Sequence, residues 1–473
     1  MDSRALSSFL DRWAEESHIA GYSACIFNGD TPIFAHAHGQ TDAAGAAHPD
    51  IDTIYGVGSL SKTLTALSAC ILAQEGRLDL DAPVTDTVPG FRFPLQRGAV
   101  TVRHLCMHRS GLPPMEALEW SSAMNSAGRE NDEETARLRA SAPSRVSTLE
   151  ELLSCIENCP YPPVGAPGER FSYSNEGYAI LSYVIDSAAG MPLEDFMQER
   201  IFRPLGMTRS ILDNGFEASR ALAGGNFTSL FTWDGSRQLC DQSWTILPPY
   251  RGCAMMKTSA RDLARFYSAL SLYGRHEGRQ VFPEEAVRTL ICDAMPAERI
   301  PFMCLGINKR LHCGQIICDH GGALHGLSAK GAFFPGEGTG FALLTNEDSA
   351  SLDGAMWAME NAVLGRPLSE SHEWFLPSAD PCPDPERFGG QYEDHEGLPE
   401  TLTVTVGSNG LTAEKAGRTA ALQYCGENRF LAVDGEGNAL MHLTFHPEGG
   451  ACDLVTYGSR VFRRSGPESR VTA

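Results

Sequence analysis

The chain has 473 residues, too many for one hydrophobic core, so it reads as two or three domains. With 42% hydrophobic and 21% charged residues and no low-complexity tract, the composition excludes a disordered chain. A net charge of −21 argues against nucleic acid or anionic membrane as partners, and solubility is the simplest reading of the acidity.

Leu6, Phe9, Leu10 and Trp13 recur at helical spacing and predict an N-terminal helix. No basic stretch with an apolar core precedes them, and no apolar run reaches the length of a membrane span, so the expectation is a cytoplasmic protein. Residues 20–38 predict a hairpin, because two apolar runs flank Asn28-Gly29-Asp30. Residues 60–75 predict a helix with Leu64, Leu67, Ile71 and Leu72 on one face and Gly76 ending it.

Residues 113–147 are polar, rich in Glu and Arg, and read either as a solvated loop with a short helix or as a lid over the active site. Two more helices are expected at 176–188 and 259–272. Strand character returns over 314–346, in the runs at Ile316-Ile317, Gly331–Phe334 and Gly340–Leu344. An early hairpin, intervening helices and late strands suggest an α+β domain whose first and last strands share one sheet. Pro367, Pro377, Pro381, Pro383 and Pro385 mark a linker. Beyond it, short β segments separated by Gly-containing turns predict a β-barrel or sandwich.

The 14 cysteines are scattered from Cys25 to Cys452 with no C-x-x-C, which argues against a zinc site and against a compact disulfide framework. Several, such as Cys70 and Cys253, sit in apolar stretches and read as reduced, buried small residues.

Three short motifs carry chemistry. In Ser59-Leu60-Ser61-Lys62 the lysine shares a helix face with the serine, as the base that a hydroxyl nucleophile needs. Lys62 acts as a base only if burial or positive neighbours lower its pKa. S-x-x-K alone is weak, although the chain has only five lysines. In Tyr173-Ser174-Asn175 the tyrosine can share a proton with the lysine, and the asparagine can hold both the lysine and a substrate carbonyl. In His320-Gly321-Gly322 the glycines let a strand approach a substrate, and the Ala323 amide can donate to an oxyanion. His312-Cys313-Gly314 also fits H-x-G, and His325-Gly326 lies nearby.

The order S-x-x-K, Y-x-N, H-x-G resembles the serine β-lactamase-like family of class C β-lactamases, D,D-carboxypeptidases, D-aminopeptidases and esterases. The segments Gly56–Thr63, His104–Pro113, Phe171–Tyr178, Pro204–Met207, Thr258–Leu263 and His320–Gly326 are similar to the family's signatures, and that likeness places His320 rather than His312 in the third motif. The segment opening at Phe388-Gly389-Gly390-Gln391-Tyr392 resembles the lipocalin-like domain appended to some family peptidases.

The resemblance implies an antiparallel sheet flanked by helices plus a helical subdomain over residues 1–366, a linker over 367–385 and a barrel over 386–473. It implies a serine hydrolase that cleaves an ester, amide or peptide bond of a small substrate through an acyl-enzyme on Ser59, with Lys62 and Tyr173 moving protons. Asn175, His320, Gly322 and Ala323 would hold substrate and oxyanion, without metal or organic cofactor. Acyl transfer, true β-lactamase activity and a non-catalytic penicillin-binding sensor are the alternatives. Histidine stands where β-lactamases usually carry lysine, which disfavours a β-lactam carboxylate unless an arginine such as Arg109 or Arg251 supplies the charge.

Overall fold

A computed structural model describes residues 1–94, 98–128, 132–292, 302–408, 410–447 and 452–465. Two early strands, β1 (Gly21–Asn28) and β2 (Thr31–Gly39), form the expected hairpin. Its turn closes between paired Asn28 and Thr31, with Gly29 at φ +57°. Five later strands follow: β3 (Phe302–Met303), β4 (Asn308–His312), β5 (Gln315–Leu324), β6 (Leu327–Phe334) and β7 (Thr339–Thr345). Among the described residues they join in one antiparallel sheet in the order β3-β4-β5-β6-β7-β1-β2, so the first and last strands of the domain are neighbours, as expected.

Both faces of β1 are covered, which is why it is an almost unbroken apolar run. Tyr22, Ala24 and Ile26 pack with helix α1 (Ser3–Glu16) and the late helix of residues 353–364. Cys25 and Phe27 face the opposite layer, where the helix at Ala260–Ser271 lies against the sheet. The alternation is the period-2 geometry of a strand between two layers.

The helical subdomain is centred on α2 (Ser61–Gln74) and α3 (Asn175–Ala189), which pack against each other. Residues 61–72 of α2 are all buried, so this helix is apolar around most of its surface rather than along one stripe. In α3 the Ser174 hydroxyl caps the N-terminus by accepting from Gly177 N–H, and Gly190 at φ +63° ends it.

The 113–147 segment is neither an open loop nor one short helix. It forms two helices, Ala117–Asn125 and Glu133–Ser141, pinned by buried Ser121, Leu138 and Val146.

After the proline-rich stretch, strands between Gly390 and Arg464 close an eight-stranded antiparallel barrel around Phe388, Tyr392, Phe430, Phe445 and Phe462. The last residues of the predicted barrel, 466–473, lie outside the described part.

Candidate active site

The sequence between β2 and α2 delivers Ser59 on a single 3-10 turn, Gly58–Leu60, that runs directly into α2. Gly58 takes φ +52°, a conformation glycine adopts without steric cost. Ser59 is therefore half-exposed at the head of a buried helix, and Lys62 lies one turn on with no exposed surface.

Lys62 Nζ donates to Ser59 Oγ at 3.0 Å, to Asn175 Oδ1 at 3.0 Å, and to Cys253 Sγ and carbonyl oxygen at 3.0 and 3.1 Å. It stands 4.9 Å from the centre of the Tyr173 ring. Burial pulls the ammonium down, but Cys253 and Tyr173 facing it outweigh burial, and its pKa lies above the ordinary lysine value. This overturns the condition set from sequence: Lys62 is not a lysine depressed into a free base.

Asn175 is held at both ends. Its Oδ1 accepts from Lys62 and from the Cys253 thiol at 3.1 Å, and its Nδ2 donates to Glu396 Oε1 at 2.9 Å. His108 stacks on Tyr173, ring centres 4.1 Å apart, and its Nδ1 accepts from Ser174 N–H at 3.0 Å. Burial and the Lys62 charge hold His108 well below the usual histidine range, so it positions Tyr173 as a neutral ring.

The third motif lies on β5, beside the nucleophile. A Cβ at Gly322 would stand 2.0 Å from Val57 O and 2.7 Å from Ser59 N, so only glycine allows this approach. Likewise a Cβ at Gly58 would stand 2.8 Å from Ala323 N. His320 is buried, and its Nδ1–H donates to Gly321 O at 2.5 Å, which assigns the neutral tautomer with Nε2 unprotonated. Burial, then the Lys62 charge, lowers His320 to about 4.

A cavity of about 450 Å³ is bordered by Ser59, Tyr173, His320, Gly322 and Ala323. A second, of about 200 Å³, is bordered by Ser59, Asn175, Ala323, Glu396 and Arg460. Six of the seven residues singled out in the sequence border one or other of these adjoining cavities, and the seventh, Lys62, lies buried behind Ser59. Leu118, Glu119 and Ser122 of the 113–147 segment wall the smaller cavity. His312 stands outside both, on the turn between β4 and β5.

Sequence reasoning missed three contributors. Cys253 had no signal beyond its apolar surroundings. Glu396 and Arg460 come from the barrel, 337 and 401 positions after Ser59 (396 − 59 and 460 − 59). Arg460 pairs with Glu396, and its guanidinium lies 4.8 Å from the centre of the Tyr173 ring. Its Nη1 is buried without a hydrogen-bond partner. Arg460 places a cation at the border of both cavities. Arg251 is engaged by Asp186 and Glu194, and Arg109 Nη1 by Glu169 O. Burial pushes the Glu396 carboxyl up to about 8, against the pull of Arg460.

Residues 6–364 match the family model described as Beta-lactamase. The D-aminopeptidase of Cereibacter sphaeroides is 25% identical over 92% of this chain and 77% of that protein. Penicillin-binding protein 4* of Bacillus subtilis is 27% identical over 44% of this chain and 41% of its own length, and the Burkholderia gladioli esterase EstB is 30% identical over 43% and 49%. The chain thus spans less than half the length of those two relatives. Among solved structures, SurE superposes with a TM-score of 0.69 at 22% identity, covering 98% of this chain and 99% of that one. The octameric penicillin-binding protein homologue from Pyrococcus abyssi superposes with a TM-score of 0.66 at 21% identity, covering 98% and 100%. Among the described residues no helix is long and apolar enough to cross a membrane. With the family model covering residues 6–364, most of its length, the chain belongs to the Beta-lactamase family.

Proposed function

We propose that the chain hydrolyses an ester or amide bond of a small substrate through an acyl-enzyme on Ser59. The observation that carries this reading is the 3.0 Å bond from buried Lys62 Nζ to half-exposed Ser59 Oγ at the edge of a cavity.

In this mechanism Ser59 Oγ attacks the substrate carbonyl while its proton passes to Tyr173 as the phenolate of a Lys62–Tyr173 unit, with the Lys62 ammonium beside it. The Ser59 and Ala323 N–H groups receive the oxyanion. The unit returns the proton to the leaving amine or alcohol, and water then releases the acyl group from Ser59. Asn175, fixed by Lys62 on one side and Glu396 on the other, orients the ammonium. The unpartnered Nη1 of Arg460 suits a substrate that places a carboxylate or carbonyl oxygen near the scissile bond. The D-aminopeptidase and esterase relatives support amide and ester bonds as the substrate class.

A panel of p-nitrophenyl esters, D- and L-amino-acid anilides and nitrocefin, read with intact-mass detection of the acylated protein, tests the proposal. Ser59→Ala should remove both turnover and the mass increment. An increment that persists undiminished in that variant would assign the chemistry to another residue.

A further inference from the structure

The His312-Cys313-Gly314 sequence fits H-x-G but takes no part in the active site. Its side chains meet a residue of the linker instead. His312 pairs with Gln315 across the β4–β5 turn, leaving Cys313 and Gly314 as the two turn residues, at φ +49° and +79°. Such a turn favours Asn or Asp before Gly, and a cysteine there meets steric crowding that packing does not offset, since it is exposed. Strain at an exposed thiol points to a use for the thiol.

Cys313 Sγ stands 3.3 Å from His312 Nε2 and 3.8 Å from Glu370 Oε1, and the last two atoms are 3.5 Å apart. The donor atoms of a tetrahedral zinc ion are separated by about 3.3–3.6 Å, from bond lengths of about 2.0–2.3 Å. The triangle therefore already has nearly the size of one face of a zinc tetrahedron, with the fourth position open to solvent. Thiolate, imidazole and carboxylate are a borderline-soft set that suits zinc rather than calcium or magnesium.

Two of the three ligands are held from behind. The His312 ring stacks on buried His372 with centres 3.5 Å apart. His372 is itself fixed by donating from Nε2 to Asn361 Oδ1 at 2.9 Å and by accepting at Nδ1 from Arg310 Nη1 at 2.9 Å. The Glu370 carbonyl accepts from Asn361 Nδ2 at 2.8 Å, and Arg366 Nε grips its Oε1 at 2.7 Å. Outer partners of this kind orient ligands before the ion arrives. Arg366 also competes for the same oxygen, which sets the affinity below that of an all-cysteine cage. Burial, then His372 and Arg310, lowers His312 from the usual histidine range, so its imidazole is neutral and available near pH 7.

We infer that His312, Cys313 and Glu370 form a surface site for a zinc-class divalent ion, which ties the linker to the β4–β5 turn. Binding displaces the thiol proton to solvent and leaves a neutral ion–thiolate–carboxylate unit. The site departs from the expectation of no metal. C-x-x-C spacing could not reveal it, because the third ligand lies 57 positions from Cys313 (370 − 313).

Titration of the full-length protein with cobalt(II), as the spectroscopic probe, tests the site. One equivalent should produce a thiolate-to-cobalt charge-transfer band and the intense visible bands of a tetrahedral ion, and zinc should bleach both. Cys313→Ser should abolish the charge-transfer band, and Glu370→Gln should weaken zinc binding at least about tenfold. Cys292→Ser, removing the other exposed thiol, should change neither. Zinc should raise the melting temperature of the wild type and not of Cys313→Ser, because only an ion bound to the folded state stabilises it. A wild type without the band, or a band retained in Cys313→Ser, would overturn the inference.

Discussion

At the scale of single residues, the environment decides which form of a side chain the reaction meets. Lys62 lies within hydrogen-bond distance of four acceptors, and burial lowers its pKa less than Cys253 and Tyr173 opposite it raise it. His320 shows the opposite balance. Burial beside the Lys62 charge lowers it from 6.5 to about 4. A histidine depressed in the folded state binds fewer protons than in the unfolded chain. Its contribution is therefore fully present above pH 6.5 and is lost as pH falls through about 4. The full loss is about 3 kcal/mol for this single buried group. Comparing His320→Asn with the wild type by urea denaturation at pH 7 and about pH 4 isolates the term, because other histidines cancel in the difference. The wild type should lose more stability on acidification than the variant; equal losses would show that His320 already titrates normally.

At the scale of elements, one sheet strand, one barrel loop and the start of one barrel strand complete the site. Strand β5 approaches the Gly58–Leu60 turn so closely that a methyl group at Gly322 meets Val57 O and Ser59 N. Gly322→Ala must push the strand and the nucleophile apart. A displacement of about an ångström costs on the order of a hundredfold in kcat/KM. We expect at least that loss on p-nitrophenyl esters, with a lowered melting temperature; near-normal kinetics would mean that the strand is free to give. The barrel contribution titrates. Glu396, between β-strands at Gly390–Asp394 and Glu400–Gly407, is pushed by burial up to about 8 while accepting from Asn175. Its ionisation as pH rises through about 8 should alter the hold on Asn175 and the field at Lys62. Glu396→Gln should remove an inflection near that pH from the kcat/KM profile, whereas an unchanged profile would separate Glu396 from catalysis. Two charged side chains of the barrel, Glu396 and Arg460, border the cavity that holds Ser59.

At the scale of the whole molecule, a buried ionic network ties the linker to the catalytic sheet. Arg310 on β4 donates to Asp319 at 2.6 Å, to both oxygens of Glu360 at 2.6 and 2.7 Å, and pairs with His372 of the linker at 2.9 Å. Removing the cation strands two buried carboxylates, so Arg310→Leu should cost about 3–5 kcal/mol in urea denaturation. A loss below about 1 kcal/mol would show that protons replace the arginine. Asp319 precedes His320, so the same network reaches the floor of the active-site cavity. Local pattern was enough for much of this architecture. The 28–31 turn, the helix after Ser59, the Ser174 cap and the alternation along β1 are set by neighbours a few positions apart, and backbone geometry repeats at that range. The pairing of Ser59 with Lys62 was legible for the same reason, because i and i+3 share a helix face whatever the rest of the chain does. The sequence by itself therefore determined the β-lactamase-like domain, the pairing of Ser59 with Lys62 and the order of the motifs. Only the tertiary structure decided the direction of the Lys62 pKa, the place of Cys253, the reach of Glu396 and Arg460 into the site, and the meeting of His312 and Cys313 with Glu370. These depend on desolvation and on charges brought together across tens to hundreds of positions, and no spacing along the chain encodes a distance that only folding sets.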